Sequence, residues 1–162
     1  PRSFGGYRNE EGGIARGVEL STTMVPIRSS YVFVSYTFTN SDQQAPEVAG
    51  SGVISTLGIP DHQFTLAAAQ RIGERLTLSF DLVATSDYLA PIFSNSSFST
   101  VIYRFDGNRR GDLSAVYEVT VFSERARLQF RGSLHNVFDY DYFENGFRTE
   151  GRTGRFGVGI EF

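Results

Sequence analysis

Arg155-Phe156-Gly157-Val158-Gly159-Ile160-Glu161-Phe162 is the stretch whose reading decides the fold. Side chains alternate across an extended backbone, so Phe156, Val158, Ile160 and Phe162 share one side and Gly157, Gly159 and Glu161 the other. The first side is apolar throughout, the second small or polar. One such strand fits any half-buried sheet. Its weight comes from recurrence along the chain.

Six more segments repeat the pattern. About 14–25 sets Val18, Leu20, Thr22 and Met24 against Gly17, Glu19, Ser21 and Thr23. About 29–40 sets Val32, Val34, Tyr36 and Phe38 against Phe33, Ser35 and Thr37, and about 62–72 sets Phe64, Leu66 and Ala68 against Gln63, Thr65 and Ala67. About 75–87 opposes Leu76, Leu78, Phe80, Leu82 and Ala84 to Thr77, Ser79, Asp81 and Thr85. About 112–122 opposes Leu113, Ala115, Tyr117, Val119 and Val121 to Ser114, Glu118 and Thr120. About 126–137 opposes Leu128, Phe130, Gly132 and Leu134 to Arg127, Gln129, Arg131, Ser133 and His135. The segments run to about 9 to 12 residues, the length that a tilted strand needs to cross a bilayer. Helical periodicity appears over no useful length.

The connections between these strands are sorted by length. Pro26-Ile27-Arg28, Gly73-Glu74 and Ser123-Glu124-Arg125 are short; about 41–61, 88–111 and 138–153 are long, and the two kinds alternate. Short turns on one rim and long loops on the other mark an outer-membrane β-barrel. On that expectation the closing strand runs toward the short-turn rim, Phe162 lies at the periplasm, and the long loops face outward. Phe98-Ser99-Thr100-Val101-Ile102-Tyr103-Arg104-Phe105 also looks strand-like but sits inside a long connection, and is read as a loop hairpin above the membrane. If 98–106 spanned instead, there would be eight strands and the sorting of loops would break.

Composition narrows the classes. With 40% hydrophobic and 20% charged residues among 162, neither a disordered chain nor a helical membrane protein is indicated. No run nears the roughly 18 apolar residues of a spanning helix, which leaves strands as the means of crossing lipid. Cysteine is absent, excluding disulfides and thiolate metal sites. A net charge of -3 argues against nucleic acid as partner. Pro1-Arg2-Ser3-Phe4-Gly5-Gly6 does not read as a secretory signal.

Asn136-Val137-Phe138-Asp139-Tyr140-Asp141-Tyr142, then Gly146-Phe147, then Gly151-Arg152 before the closing strand, resembles the carboxy-terminal end of TonB-dependent outer-membrane transporters. Gly17-Val18-Glu19-Leu20 and Ile59-Pro60-Asp61-His62-Gln63-Phe64 resemble two further strand entries of that family. The resemblance implies an all-β antiparallel transmembrane barrel of about 22 strands, of which this chain supplies the last seven or eight. Residues 1–162 would be one carboxy-terminal barrel segment, without the plug domain and TonB-contacting segment such transporters carry. An odd strand count supports a segment: the first and last of seven strands point the same way and cannot close antiparallel.

The family also implies partners and roles. Expected partners are outer-membrane lipid, the barrel-assembly machinery (reading Phe162, Ile160, Val158 and Phe156), the protein's own plug domain, and the TonB complex. Cargo would be a scarce small molecule: a ferric siderophore, cobalamin or a glycan. Asn136, Phe138, Asp139, Tyr142, Gly151 and Arg152 carry the family motif. Glu19, Asp81, Glu118, Arg127, Arg131, His135 and Glu161 face the lumen on this reading, as wall residues pairing with neighbours or plug charges, or as part of a substrate path.

Tyr88, Phe93, Tyr103, Tyr140 and Phe143, with Phe98, Tyr142 and Phe147, lie in or beside long loops. They read either as a grip for an aromatic ligand or as an interfacial girdle. Asp139, Asp141 and Glu144 read as a solvated acidic loop rather than a cation site, and His62 and His135 lack metal-ligand spacing. No nucleophile elbow or phosphate loop is present, so no catalytic residue and no cofactor are assigned. The rival classes are a self-contained eight-stranded membrane barrel (structural, adhesin or narrow pore) and a soluble lipocalin-like binder. The latter requires Leu78, Phe80, Val119, Phe130 and Ile160 to share one dry centre.

Overall fold

The structure, a computed structural model, describes residues 14–41, 58–121, 126–144 and 147–162. The strands are β1 (Ala15–Met24), β2 (Ser30–Ser41), β3 (His62–Ile72), β4 (Leu76–Thr85), β5 (Tyr88–Ser94), β6 (Ser99–Phe105), β7 (Arg109–Val121), β8 (Ala126–His135), β9 (Phe143–Glu144), β10 (Phe147–Arg148) and β11 (Thr153–Glu161). Seven form one antiparallel sheet in the order β1-β2-β3-β4-β7-β8-β11. β5 pairs with β6, and β9 with β10, in separate two-stranded sheets.

The register confirms the alternation strand by strand. Leu20 lies opposite Tyr36, Tyr36 opposite Phe64, and Phe64 opposite Ala84. Phe80 faces Leu113, Tyr117 faces Phe130, and Phe130 faces Val158. Directly opposed residues point to the same side of a sheet, so the apolar sides of all seven strands merge into one face. Ser21–Ser35–Thr65, Asp81–Asp112, Ser114–Ser133 and Arg127–Glu161 line the other. Phe33, Val83 and Val116 are apolar intruders on that second face.

Among the described residues no second layer covers the apolar face: the elements in extensive contact are those paired in the ladders. Leu20 is 63% exposed and Phe156 75% exposed, and no side chain among the described residues is fully buried. Leu78, Phe80, Val119, Phe130 and Ile160 therefore share no dry centre among the described residues, unlike the arrangement a soluble binder with an apolar interior requires.

The strand bounds differ from the sequence expectation mainly at β7, which begins at Arg109 because Arg109–Gly111 continue the ladder against Ala84–Leu82. Residues 99–105 do not join the large sheet, since β4 pairs directly with β7. Their partner is Tyr88–Ser94, a strand that Pro91 obscured. Proline lacks a ladder donor and is confined to edge positions, where a two-stranded sheet puts it. The eight-stranded alternative loses its eighth strand, and β1 and β11 remain the two edges of the sheet.

Short turns join β1 to β2 and β3 to β4. Ser30 Oγ donates to Ile27 O at 2.6 Å in the first, and Gly73 takes a φ of +61° in the second. The turn at 122–125, most of the first long connection (42–57) and Gly146 lie outside the described residues.

Candidate functional site

Among the described residues, the side-chain contacts of the long connections gather at the rim where β2, β4 and β8 end and β3, β7 and β11 begin. The connection from β8 to β11 is built around Asn136, 3% exposed with a φ of +50°. Its Nδ2 donates to Tyr140 O at 3.1 Å and Glu150 O at 3.4 Å, while its Oδ1 accepts Tyr140 N–H at 3.2 Å. Asparagine suits the place because it tolerates the left-handed region and carries both donor and acceptor. Asp139, also left-handed at +53°, accepts Arg152 N–H on Oδ1 at 2.8 Å. A Cβ at Gly151 would sit 3.3 Å from that same oxygen, so the Gly-Arg pair lets the returning chain pass close to Asp139. Thr149 closes the loop with its N–H and hydroxyl, both donated to Tyr142 O at 3.0 and 2.9 Å.

Two barrel residues tie this loop to the wall. Asp112 Oδ1 accepts Asn136 N–H at 2.9 Å, and Asp112 Oδ2 meets Arg110 Nη2 at 2.8 Å and His135 Nδ1 at 3.5 Å. On the opposite face Phe138 lies over Gly111, where a Cβ would approach the ring to 2.6 Å. Gly111 is buried beneath it.

Aromatic rings make the second cluster. Phe105, 5% exposed, sits 5.5 Å from the Tyr88 ring, 4.8 Å from Tyr103 and 5.8 Å from Phe143. The Tyr88 hydroxyl donates to Phe143 O at 2.9 Å, joining the hairpin base to the last loop. Burial, and then the Glu144 carboxylate, raises the Tyr88 pKa above its ordinary value of 10.0. Leu89 O accepts Gly58 N–H, which brings in the end of the first long connection. At the hairpin tip Phe93 and Phe98 pack edge to face at 5.4 Å, with Phe98 83% exposed.

The polar face of the sheet carries a chain of contacts. Gln129 Nε2 donates to Glu118 Oε1 at 2.7 Å, and Arg131 donates to Gln129 Oε1. Glu19, Asp81, Glu118, Arg127, Arg131, His135 and Glu161 all point to this face by register. Phe156, Val158 and Ile160 lie on the apolar face, and Phe162 follows β11, 91% exposed.

The loop aromatics read from sequence do not converge as one set. Tyr88, Tyr103 and Phe143 meet around Phe105; Phe93 is at the tip; Tyr142 is buried at 4% exposure inside the last loop, beside Tyr140 with its backbone bonds to Asn136. Asp139, Asp141 and Glu144 also fail to converge. Asp139 holds Arg152 N–H, and Asp141 binds Arg148 Nη2 at 2.7 Å, which raises the Arg148 pKa. No group of three potential metal ligands occurs among the described residues. Sequence reading missed Phe105, Arg110, Gly111 and Asp112. Carrying the alternation of β7 two residues upstream, through Arg110 and Asp112 to Ser114, would have found the polar pair.

No protein-family model matches the chain, and no curated protein matches its sequence. Solved structures do share its fold. The ferric preacinetobactin receptor of Acinetobacter baumannii superposes with a TM-score of 0.69 at 21% identity, over 93% of this chain and 22% of the receptor. The ferripyoverdine receptor of the Pseudomonas aeruginosa outer membrane gives 0.67 at 17% identity, over 90% and 19%. The ferric-catecholate import receptor Fiu of E. coli gives 0.67 at 19% identity, over 91% and 20%. The chain thus spans about a fifth of the length of the receptors it matches, and its sheet has the fold of a segment of their barrels.

Proposed function

We propose that residues 1–162 are a carboxy-terminal wall segment of a TonB-dependent outer-membrane receptor that imports a ferric siderophore. The observation that carries the reading is the face shared by seven strands: continuous, apolar, uncovered, and backed by a face of hydroxyls, amides and charges. Hydrocarbon is the solvent that such a face fits, because every backbone group within the sheet is already paired and only the two edge strands need neighbours. Those neighbours would be the remaining strands of a wider barrel. The polar face would line its lumen, where Glu118, Gln129 and Arg131 meet plug charges or water. The matching receptors take ferric preacinetobactin, ferripyoverdine and ferric catecholate, which favours a ferric siderophore over cobalamin or glycan as cargo.

In this reading the chain performs no covalent chemistry. Its loops receive ligand outside the cell, its wall encloses the plug, and energy arrives through TonB. Asn136, Asp112 and Asp139 hold the last loop rigidly on the wall. The rings of Tyr88, Tyr103, Phe105 and Phe143 offer a firm apolar surface beside it for a ligand's aromatic or acyl parts.

The test is the complete reading frame, expressed in an iron-starved bacterium lacking other siderophore receptors. Detergent-dependent recovery from outer membranes and TonB-dependent uptake of ferric siderophore are expected. Recovery of the protein in the soluble fraction would sink the membrane assignment; membrane recovery with no uptake of iron would sink the cargo alone.

A further inference from the structure

The polar face of the sheet falls into two unlike halves. On β1 to β4, toward the long-loop rim, one ladder row reads Glu19–Thr37–Gln63–Thr85. The next reads Ser21–Ser35–Thr65, with Val83 and then Arg110 completing it. Glu19 aside, the side chains that β1 to β3 contribute to these rows all end in a hydroxyl or an amide. Strands lie about 4.8 Å apart, so the panel is roughly 15 Å wide across four of them.

The halves differ in what their polar groups already do. On β7 and β8 those groups bind one another. Gln129 Nε2 donates to Glu118 Oε1 at 2.7 Å, and Arg131 donates to Gln129 Oε1. Asp112 Oδ2 accepts Arg110 Nε and Nη2 at 3.1 and 2.8 Å, and Ser133 Oγ lies 3.2 Å from His135 Nε2. On the panel, by contrast, no side-chain hydrogen bond among the described residues engages Ser21, Ser35, Thr37, Gln63 or Thr65. Ser21 and Gln63 are exposed, and the other three are half-buried. Half-buried polar groups without protein partners are satisfied by whatever fills the space in front of them.

Charge is distributed just as unevenly. Glu19 stands in the panel, and Asp81 adjoins it opposite Ala67, the next polar-side position after Thr65 on β3. Neither carboxylate has an ion-pair partner among the described residues. The guanidinium in these rows, Arg110, is occupied by Asp112, while Arg104 and Arg148 in the loops are held by Asp87 and Asp141. Arg16 and Arg109 fall on the apolar side, and Arg152 lies at the far edge before β11. Arg71, Arg127, Arg131 and Arg155 do face the polar side, but two or more rows nearer the short-turn rim.

We infer that Ser21, Ser35, Thr37, Gln63 and Thr65 form a specificity panel that accepts an uncharged ferric chelate and, with Glu19 and Asp81, rejects a trianionic one. The inference rests on the receptor reading above and deepens it by assigning the charge of the cargo to a named part of the wall. Three singly negative hydroxamates neutralise ferric iron, whereas three doubly negative catecholates leave a trianion. The hydroxyls and the amide donate to the carbonyl-type oxygens of an uncharged chelate and accept from its amide N–H groups. A trianion meets two free carboxylates here and no free guanidinium, between low-dielectric walls that strengthen the repulsion.

The experiment measures retention of radioactive iron by the full-length protein purified from outer membranes. It is offered either an uncharged ferric trihydroxamate on a cyclic peptide scaffold or a ferric tricatecholate trianion. Tighter binding of the trihydroxamate, by on the order of tenfold at low ionic strength, is expected. Ser35→Ala with Thr65→Val, both close in shape to the natural residues, should weaken it roughly tenfold, as the loss of two neutral hydrogen bonds implies. Thr77→Val, on the same face near the short-turn rim, should leave it unchanged. Glu19→Gln with Asp81→Asn should raise trianion binding on the order of tenfold and leave the trihydroxamate as it was. Variants are compared at equal recovery from outer membranes, which reports folding. Stronger binding of the trianion by the natural protein overturns the inference alone. So does a trihydroxamate affinity that the Ser35 and Thr65 changes do not lower. Retention of neither complex overturns the siderophore reading itself, a separately recognisable failure.

Discussion

The seven-stranded wall and the loop structures on its long-loop rim obey opposite rules. The wall buries almost nothing, and is held by ladder hydrogen bonds and a sorted pair of faces. The rim contains three of the few buried groups among the described residues: Asn136 at 3%, Tyr142 at 4% and Phe105 at 5% exposure. On the membrane reading proposed above, a face turned to a nonpolar solvent needs no internal core, whereas a loop in water must build one locally or remain unstructured. Two mechanisms serve that end here, an asparagine-centred hydrogen-bond knot and a ring cluster around Phe105.

Breaking the wall tests the difference most strongly. Leu66→Arg at the middle of β3 should cost about 2–4 kcal/mol of folding free energy in lipid vesicles, whereas Thr65→Arg, one residue away on the polar face, should cost little. Urea titration of the full-length protein reads both, and equal costs would erase the distinction between the faces. Next in size is Asn136→Ala, which removes three side-chain hydrogen bonds of a buried group and should cost about 1–3 kcal/mol. Its effect belongs to the loop: trypsin should cut at Arg148 and Arg152 while the wall stays folded, and unaltered cleavage would show that the knot is not what orders the loop.

Gly111→Ala sharpens the junction between the two regions. The added Cβ would meet the Phe138 ring at 2.6 Å, and displacing the ring should cost about 1 kcal/mol; Phe138→Ala in the same chain should relieve the clash. The smallest effect is expected at Tyr88. Tyr88→Phe removes the donation to Phe143 O, worth about 0.5–1.5 kcal/mol. The folded pKa is raised above the unfolded one, so this contact is complete below pH 10.0 and lost as pH rises through the higher folded value. Hydrogen exchange across β5 and β6 should therefore accelerate above that pH in the natural protein and show no such step in Tyr88→Phe.

Much of the wall was legible because its signal is local. Alternation at period 2 needs only neighbouring residues, and it gave all seven strands, the faces of Glu19, Asp81, Glu118, Arg127 and Arg131, and the short and long connections. The loop pattern Asn136–Tyr142 with Gly151-Arg152 was visible as a motif, but not its cause, which lies in contacts spanning 13 or more residues: Asn136 to Glu150 and Asp139 to Arg152. Pro91 masked β5, and Phe105 looked like one aromatic among many until Tyr88, Tyr103 and Phe143 surrounded it.

By itself, then, the sequence determined which side of each strand is apolar and where the chain turns, since those follow from covalent alternation and turn chemistry. Only the tertiary structure decided that the seven apolar sides coincide, that Asp112 reaches from the wall to hold Asn136, and that Tyr88, Tyr103 and Phe143 gather around Phe105. Those facts depend on register between strands distant in sequence, and a shift of one residue at any ladder would have turned one strand's faces over.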